Sequence, residues 1–167
     1  MKKILTVLTA IALGAAVAAA GEMPRTAGAQ TGAAERAAKP PSTREMALLC
    51  WQELGELVPA KIDTVLVPFG SLEPHGVIPN GTDSLAPEAM ARDIAVRVDA
   101  LIAPVLNYGM TDAMKAYPGA VSIAAETYAP FAEAVLDNLA ANGFRNLIVL
   151  NGHGGNTAAL NAAATRV

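Results

Sequence analysis

The sequence predicts an α/β domain built on a mostly parallel sheet with helices on both faces. Short apolar runs rich in β-branched residues alternate with segments in which apolar residues recur at helical spacing. This alternation is typical of parallel sheets, because each crossover between parallel strands carries a helix. Both histidines of the chain follow predicted strands, and the carboxyl ends of parallel strands meet at one edge. We therefore expect the two histidine turns at the same edge of the sheet.

The first predicted elements are a helix and a buried strand. Residues 42–45 have the pattern of a capping box, and apolar residues follow at helical spacing as far as Leu57. Cys50 lies inside this apolar stretch, so we expect it in the core. Residues 63–68 form a β-branched run that stops before Gly70, which predicts a strand.

The next helix and strand follow without a long linker. Asp83 or Ser84 is placed to cap a helix whose apolar positions recur as far as Leu101. Residues 101–106 then read as a second buried strand, and residues 121–123 as a short strand after a turn.

The last three elements repeat the alternation. Residues 128–142 carry one apolar stripe and stop at Gly143, which predicts a helix with a glycine C-cap. Residues 146–150 are a strand, and residues 157–167 begin another helix. With helices before and after each strand, both faces of the sheet are expected to be covered.

The N-terminal segment has the pattern of an export signal rather than of a folded element. Lys2 and Lys3 precede an apolar stretch that ends in three alanines at 18–20, so we predict a signal peptide over residues 1–20. A membrane anchor is the alternative, because the stretch approaches the ~20 residues needed to span a bilayer. Residues 21–41 are rich in Ala, Gly and Pro, which predicts a disordered linker. The folded domain is expected over residues 42–167, in the periplasm or secreted, with no membrane span after cleavage.

Composition argues against nucleic-acid binding and excludes one kind of crosslink. The net charge of −3 and the pI near 5.3 provide no basic surface for nucleic acid, and the 4% of aromatic residues leave little for base stacking. The single cysteine excludes an intrachain disulfide.

Four side chains near the two histidines have the chemistry of metal ligands. Glu73 and His75 are two residues apart, so an extended segment would point both side chains the same way. Asp83 follows the next turn, and His153 follows the last strand among glycines. Mixed carboxylate and imidazole ligands suit Zn²⁺, Mn²⁺ or Fe²⁺, and such a site can activate a water molecule. The pattern predicts a metal-dependent hydrolase.

Alternative interpretations of the same residues fit less well or remain open. The turn around His153 lacks the last glycine of a dinucleotide-binding loop, and Ser71 is not in the G-x-S-x-G pattern of a serine hydrolase. A structural α/β domain with two hydrogen-bonded loop histidines stays open. The amides of Asn151 and Asn156 are predicted to orient ligands or to bind substrate.

Three blocks of the sequence resemble the signatures of the creatininase (creatinine amidohydrolase) family. They are residues 68–76, PFGSLEPHG, residues 79–83, PNGTD, and residues 151–156, NGHGGN. The resemblance runs from about Met46 to the end of the chain. It implies a three-layer α/β/α fold and a metal-dependent enzyme, since the family consists mostly of hydrolases of cyclic or linear amides. The substrate would be a small amide.

The resemblance also implies a ligand set and exposes two departures. The family's ligand positions fall on Glu73, His75, Asp83 and His153, with the aspartate commonly bridging two metals and zinc as the expected ion. Creatininase itself has a metal-binding glutamate where this chain has Gly155. The family's later half, with a further acidic ligand, has no counterpart before Val167, so the domain is expected to be incomplete at its C-terminus.

These departures lead to an alternative function and two further expectations. The alternative is a truncated, catalytically inactive α/β domain that binds a metal or a partner. We expect the 167-residue chain to be a poor catalyst of amide hydrolysis. We also expect a homo-oligomer, because an open parallel sheet exposes an edge that another chain can cover.

Overall fold

A parallel sheet forms the centre of the molecule, whose computed structural model describes residues 4–9 and 41–167. Within these residues the sheet has the strand order β1-β4-β2-β3, and every pair is parallel. The strands are β1 (Ile4–Thr9), β2 (Thr64–Phe69), β3 (Ala100–Ile102) and β4 (Asn146–Asn151). The predicted α/β class with a parallel sheet is confirmed.

Helices connect the strands and cover the sheet. They are α1 (Trp51–Leu57), α2 (Thr82–Ile94), α3 (Ala125–Ala141) and α4 (Thr157–Ala164). Short 3₁₀ turns lie at Met46–Leu48, Asp112–Met114 and Gly154–Asn156. Gly143 ends α3 with a φ of +108°, a conformation that costs glycine little and other residues more. The predicted glycine stop is therefore confirmed.

The core lies on both faces of the sheet, as expected for three layers. Alternate residues of β2 and β4 point to opposite faces, since side chains of a strand alternate. One face packs against α1, α3 and α4, where Phe69 meets Tyr128 edge to face at 6.5 Å between ring centroids. The other face packs against α2 through Leu66, Leu150 and Ala91. Two apolar clusters thus hold the strands whose ends carry the histidine turns.

Two boundaries differ from the sequence prediction. Helix α1 starts at Trp51 rather than after residue 45, and the carboxylate of Glu53 accepts the backbone N–H of Cys50 at 3.0 Å. Cys50 is therefore the N-cap of α1 and is exposed, so its expected core position is wrong. Because Cys50 precedes the first residue of α1, it does not lie on the helix face that buries Leu57.

Helix α2 and strand β3 divide residues 82–102 differently from the prediction. Apolar spacing extends to Leu101, but α2 ends at Ile94 because Ala100–Ile102 pairs with β2. The ladder then becomes irregular at Pro104, which has no N–H to donate. Pairing within the sheet outweighs the local helical periodicity here.

The N-terminal predictions fall largely outside the described residues. The signal peptide over 1–20 and the linker over 21–41 are described only at residues 4–9 and 41. Residues 4–9 lie beside β4 with Ile4 opposite Asn146 and Thr9 opposite Asn151. Across the described ranges, no helix is long and apolar enough to cross a bilayer.

Candidate metal centre

The two histidine turns lie side by side because β2 and β4 are neighbours in the sheet. Phe69, the last residue of β2, is opposite Asn151, the last residue of β4. The N–H of Gly152 donates to the carbonyl of Phe69 at 2.8 Å and links the two strand ends. The predicted convergence at one edge of the sheet is confirmed.

The carboxylate of Asp83 lies between the two imidazoles. Its Oδ1 is 3.0 Å from Nε2 of His75, and its Oδ2 is 2.7 Å from Nδ1 of His153. Asp83 lies in the first turn of α2, where the helix dipole favours a negative charge. The sequence placed it at or just before the helix start, whereas α2 begins one residue earlier, at Thr82.

Glu73 completes the group on the same side. Its Oε1 is 3.4 Å from Nδ1 of His153 and 3.9 Å from Nε2 of His75. Ligand atoms of Glu73, His75 and Asp83 all lie within 4.8 Å of one another, a separation that one cation can span. All four side chains are mostly buried, with 9 to 23% of each exposed.

Backbone carbonyls orient both imidazole rings. Nδ1 of His75 faces the carbonyl of Glu73 at 3.0 Å, and Nε2 of His153 faces the carbonyl of Met110 at 3.1 Å. A carbonyl only accepts, so the nitrogen that faces it carries the proton. A neutral ring then has its lone pair on the nitrogen that faces the carboxylates. This is the usual arrangement of histidines that bind a metal.

The local electrostatics favour a cation. Among residues 41–167 the only basic side chains within 4 Å of the Glu73 and Asp83 carboxylates are the two histidines, and no lysine or arginine neutralises them. The hydrogen bond to the Glu73 carbonyl raises the pKa of His75, and the negative charges of Asp83 and Glu73 add to this, while burial acts in the opposite direction. Two partly buried negative charges beside two imidazoles fit a divalent ion.

Glycines let the segments approach closely at this edge. Gly76 has a φ of +68° and turns the chain directly after His75. A β-carbon on Gly155 would collide with the Met110 carbonyl and with Nε2 of His153. Position 155 therefore has no room for a side chain unless both the His153 ring and the Met110 backbone move.

Asn151 and Asn156 are wholly buried, and their amides bond to other protein groups. Asn151 accepts the backbone N–H of His153 and donates to Thr157. Asn156 accepts the N–H of Met110 at 3.0 Å and donates to the carbonyl of Gly70 at 3.0 Å. These contacts orient the His153 turn, in line with the predicted orienting role, whereas contact with a substrate stays a prediction.

Two features of the site are not evident from the sequence pattern. Ser71, considered there only as a nucleophile, is buried and donates its hydroxyl to Asp83 at 2.9 Å. The carbonyl of Met110 is a backbone group, and no sequence motif marks which carbonyl will face His153. Ser71 could have been suspected from its place within the first block, residues 68–76, but its partner depends on how α2 packs.

Comparison with known proteins shows which family and which fold the chain resembles. Residues 47–167 match the sequence profile of a family described as "Creatininase: Creatinine amidohydrolase". The chain is 32% identical to the creatinine amidohydrolase of Pseudomonas putida over 111 residues, which cover 63% of this chain and 43% of the relative. It is 32% identical to a mycofactocin precursor peptide peptidase of Mycobacterium tuberculosis (strain H37Rv) over 117 residues, which cover 64% and 46%.

Solved structures agree with these sequence matches. A crystal structure of creatinine amidohydrolase (creatininase) superimposes with a TM-score of 0.71 at 27% identity, covering 75% of this chain and 51% of the other. A creatininase variant described as Zn-Zn type has a TM-score of 0.68 at 28% identity, covering 74% and 50%. A structure described as creatininase Mn has a TM-score of 0.70 at 28% identity, covering 74% and 52%. The chain thus spans about half the length of the proteins it matches.

Proposed function

The chain belongs to the creatininase family, and from this we propose that it is part of a metal-dependent amidohydrolase that cleaves an amide C–N bond. The observation that carries the proposal is the convergence of two carboxylates and two imidazoles on one sheet edge, with Asp83 in contact with both rings. The residues that would hold the ion are Glu73, His75, Asp83 and His153. Zinc is the proposed ion, because its preferred ligands are these residue types.

Each of these residues has a distinct part in the proposed site. Asp83 directs one carboxylate oxygen towards each imidazole, so its two oxygens could act as ligands beside both histidines. His75 and His153 each present one nitrogen to that carboxylate, while a carbonyl holds the other. The chemistry that a divalent ion supplies in such a site is polarisation of a carbonyl group and activation of water near neutral pH.

We propose a small cyclic or linear amide as the substrate. The creatinine amidohydrolase relative supports this choice, since its name specifies such a compound. A peptide amide is a second candidate, favoured by the relative named as a precursor peptide peptidase at the same 32% identity. The alternative class is an inactive domain that binds a metal or a partner.

The test combines metal analysis with hydrolysis of a small panel. The full 167-residue chain would be loaded with zinc, measured for bound metal, and assayed with creatinine, a linear amide and a short peptide. Turnover that is lost on chelation and in Asp83→Asn, but kept in Asp137→Asn on the exposed surface of α3, supports the hydrolase. Bound zinc without turnover would agree with the poor catalysis expected of a chain that spans about half of its relatives, and would support the binding domain for this chain. Failure to retain zinc would refute the hydrolase and the metal-binding form of the alternative.

A further inference from the structure

Ser71 stands out because its hydroxyl is buried against a metal-ligand candidate and has no part in the function proposed so far. The residue has no exposed surface. It follows Gly70 at the end of β2, and its Oγ donates to Oδ2 of Asp83 at 2.9 Å. A hydroxyl that donates to a carboxylate forms a charge-assisted bond, which is stronger than a bond between neutral groups.

The contact with Ser71 differs in kind from the other contacts of Asp83. The two imidazole nitrogens that contact the carboxylate belong to His75 and His153, which are proposed as ligands of the same ion. An ion held by these ligands would lie between carboxylate and imidazoles and would replace those two direct contacts. A bound ion would not displace the hydroxyl of Ser71 from the Asp83 carboxylate, because Ser71 belongs to the buried turn after β2.

We propose that Ser71 is a positioning residue that sets the rotation of the Asp83 carboxylate so that one oxygen faces each histidine. The inference rests on the proposed metal site. By holding Oδ2, the hydroxyl leaves Oδ1 directed at His75, 3.0 Å away. Complete burial prevents Ser71 from touching a substrate, so it acts through Asp83 and not as a nucleophile.

Ser84 provides a matched control for this proposal. It is also buried, with 6% exposed, and its hydroxyl donates to the backbone carbonyl of Ser71 at 3.2 Å. Replacing either serine with alanine removes one buried hydroxyl from the contact between the turn after β2 and the first turn of α2. Only the Ser71 change removes a bond to the Asp83 carboxylate.

The experiment measures cobalt binding by the full chain and by its Ser71→Ala and Ser84→Ala variants. Cobalt(II) reports affinity by titration and the geometry of its ligands by visible absorption. We expect Ser71→Ala to weaken cobalt binding by about 10- to 100-fold, the usual effect of losing a group that orients a ligand. Its absorption spectrum should also change, whereas Ser84→Ala should keep the spectrum and nearly the full affinity.

Each other outcome overturns a defined part of the reasoning. Equal affinity and spectrum for Ser71→Ala and the unsubstituted chain would show that Asp83 needs no positioning by the hydroxyl. Equal weakening in both serine variants would indicate loose packing between the turn after β2 and α2, and would also refute the proposal. If the unsubstituted chain binds no cobalt, the metal site itself is wrong and the role of Ser71 falls with it.

Discussion

Replacing Gly152 with alanine should separate α2 from the end of β4 and so disturb the candidate metal centre. A β-carbon on Gly152 would overlap the carbonyl oxygen of Asp83 and lie 2.8 Å from Cγ and Cδ of Pro87. These atoms belong to a helix backbone and a proline ring, neither of which can rotate away. The first turns of α2, including Asp83, would have to move as a unit.

The size of the effect follows from this overlap. Overpacking of this kind costs about 1–3 kcal/mol. In a chain of this size, 1 kcal/mol lowers the Tm by roughly 2–4 °C, so the expected fall is about 2–12 °C. Displacing Asp83 should also weaken zinc binding at least about tenfold, because a displaced carboxylate no longer faces both imidazoles.

Gly154→Ala is the matched control, since it makes the same change two residues away. A β-carbon at Gly154 would meet nothing within 4 Å, and the residue is exposed. Its Tm and zinc affinity should stay close to those of the unsubstituted chain. Thermal unfolding by circular dichroism and zinc titration would be measured on both variants. Identical melting and binding for the two alanine variants would refute the close packing of α2 against Gly152.

Three further predictions concern the ligands, their protonation and the N-terminus. His153→Ala should remove most of the bound zinc measured by elemental analysis, because the ring contacts both carboxylates. Cys50→Ala should leave the bound zinc unchanged, because Cys50 is exposed outside the site. Undiminished zinc in the histidine variant would contradict the assignment. Zinc affinity should fall as the pH falls through the raised pKa of His75, because zinc needs the neutral ring. In the metal-free protein the raised pKa of His75 adds stability. This contribution is fully present below pH 6.5 and is lost as the pH rises through the raised pKa of His75. Titrations across pH should therefore show opposite trends for zinc binding and metal-free Tm, and His75→Gln should flatten both. We propose export with cleavage after Ala20, which would remove β1. N-terminal sequencing of the exported protein should then give a sequence that starts at Gly21. A retained Met1 would instead favour β1 as a permanent strand of the sheet.

The sequence alone was enough to place the site at the correct edge of the fold. Alternating apolar periodicities indicated parallel strands with helical crossovers, and parallel strands leave only one edge at which both histidine turns can lie. The chemistry of Glu73, His75, Asp83 and His153 could be read from residue types in the same way. Local spacing is sufficient for such predictions, because strand alternation and turn formation depend on near neighbours.

Only the tertiary structure decided which groups hold these four side chains in place. The bond from Ser71 to Asp83 depends on how α2 packs against the end of β2, and the carbonyl of Met110 meets His153 across 43 residues of sequence. Backbone carbonyls are present at every residue, so sequence does not show which one will orient a ring. The same reason applies to the exposure of Cys50 and to the early end of α2, where pairing and packing between distant segments outweigh local hydrophobic spacing.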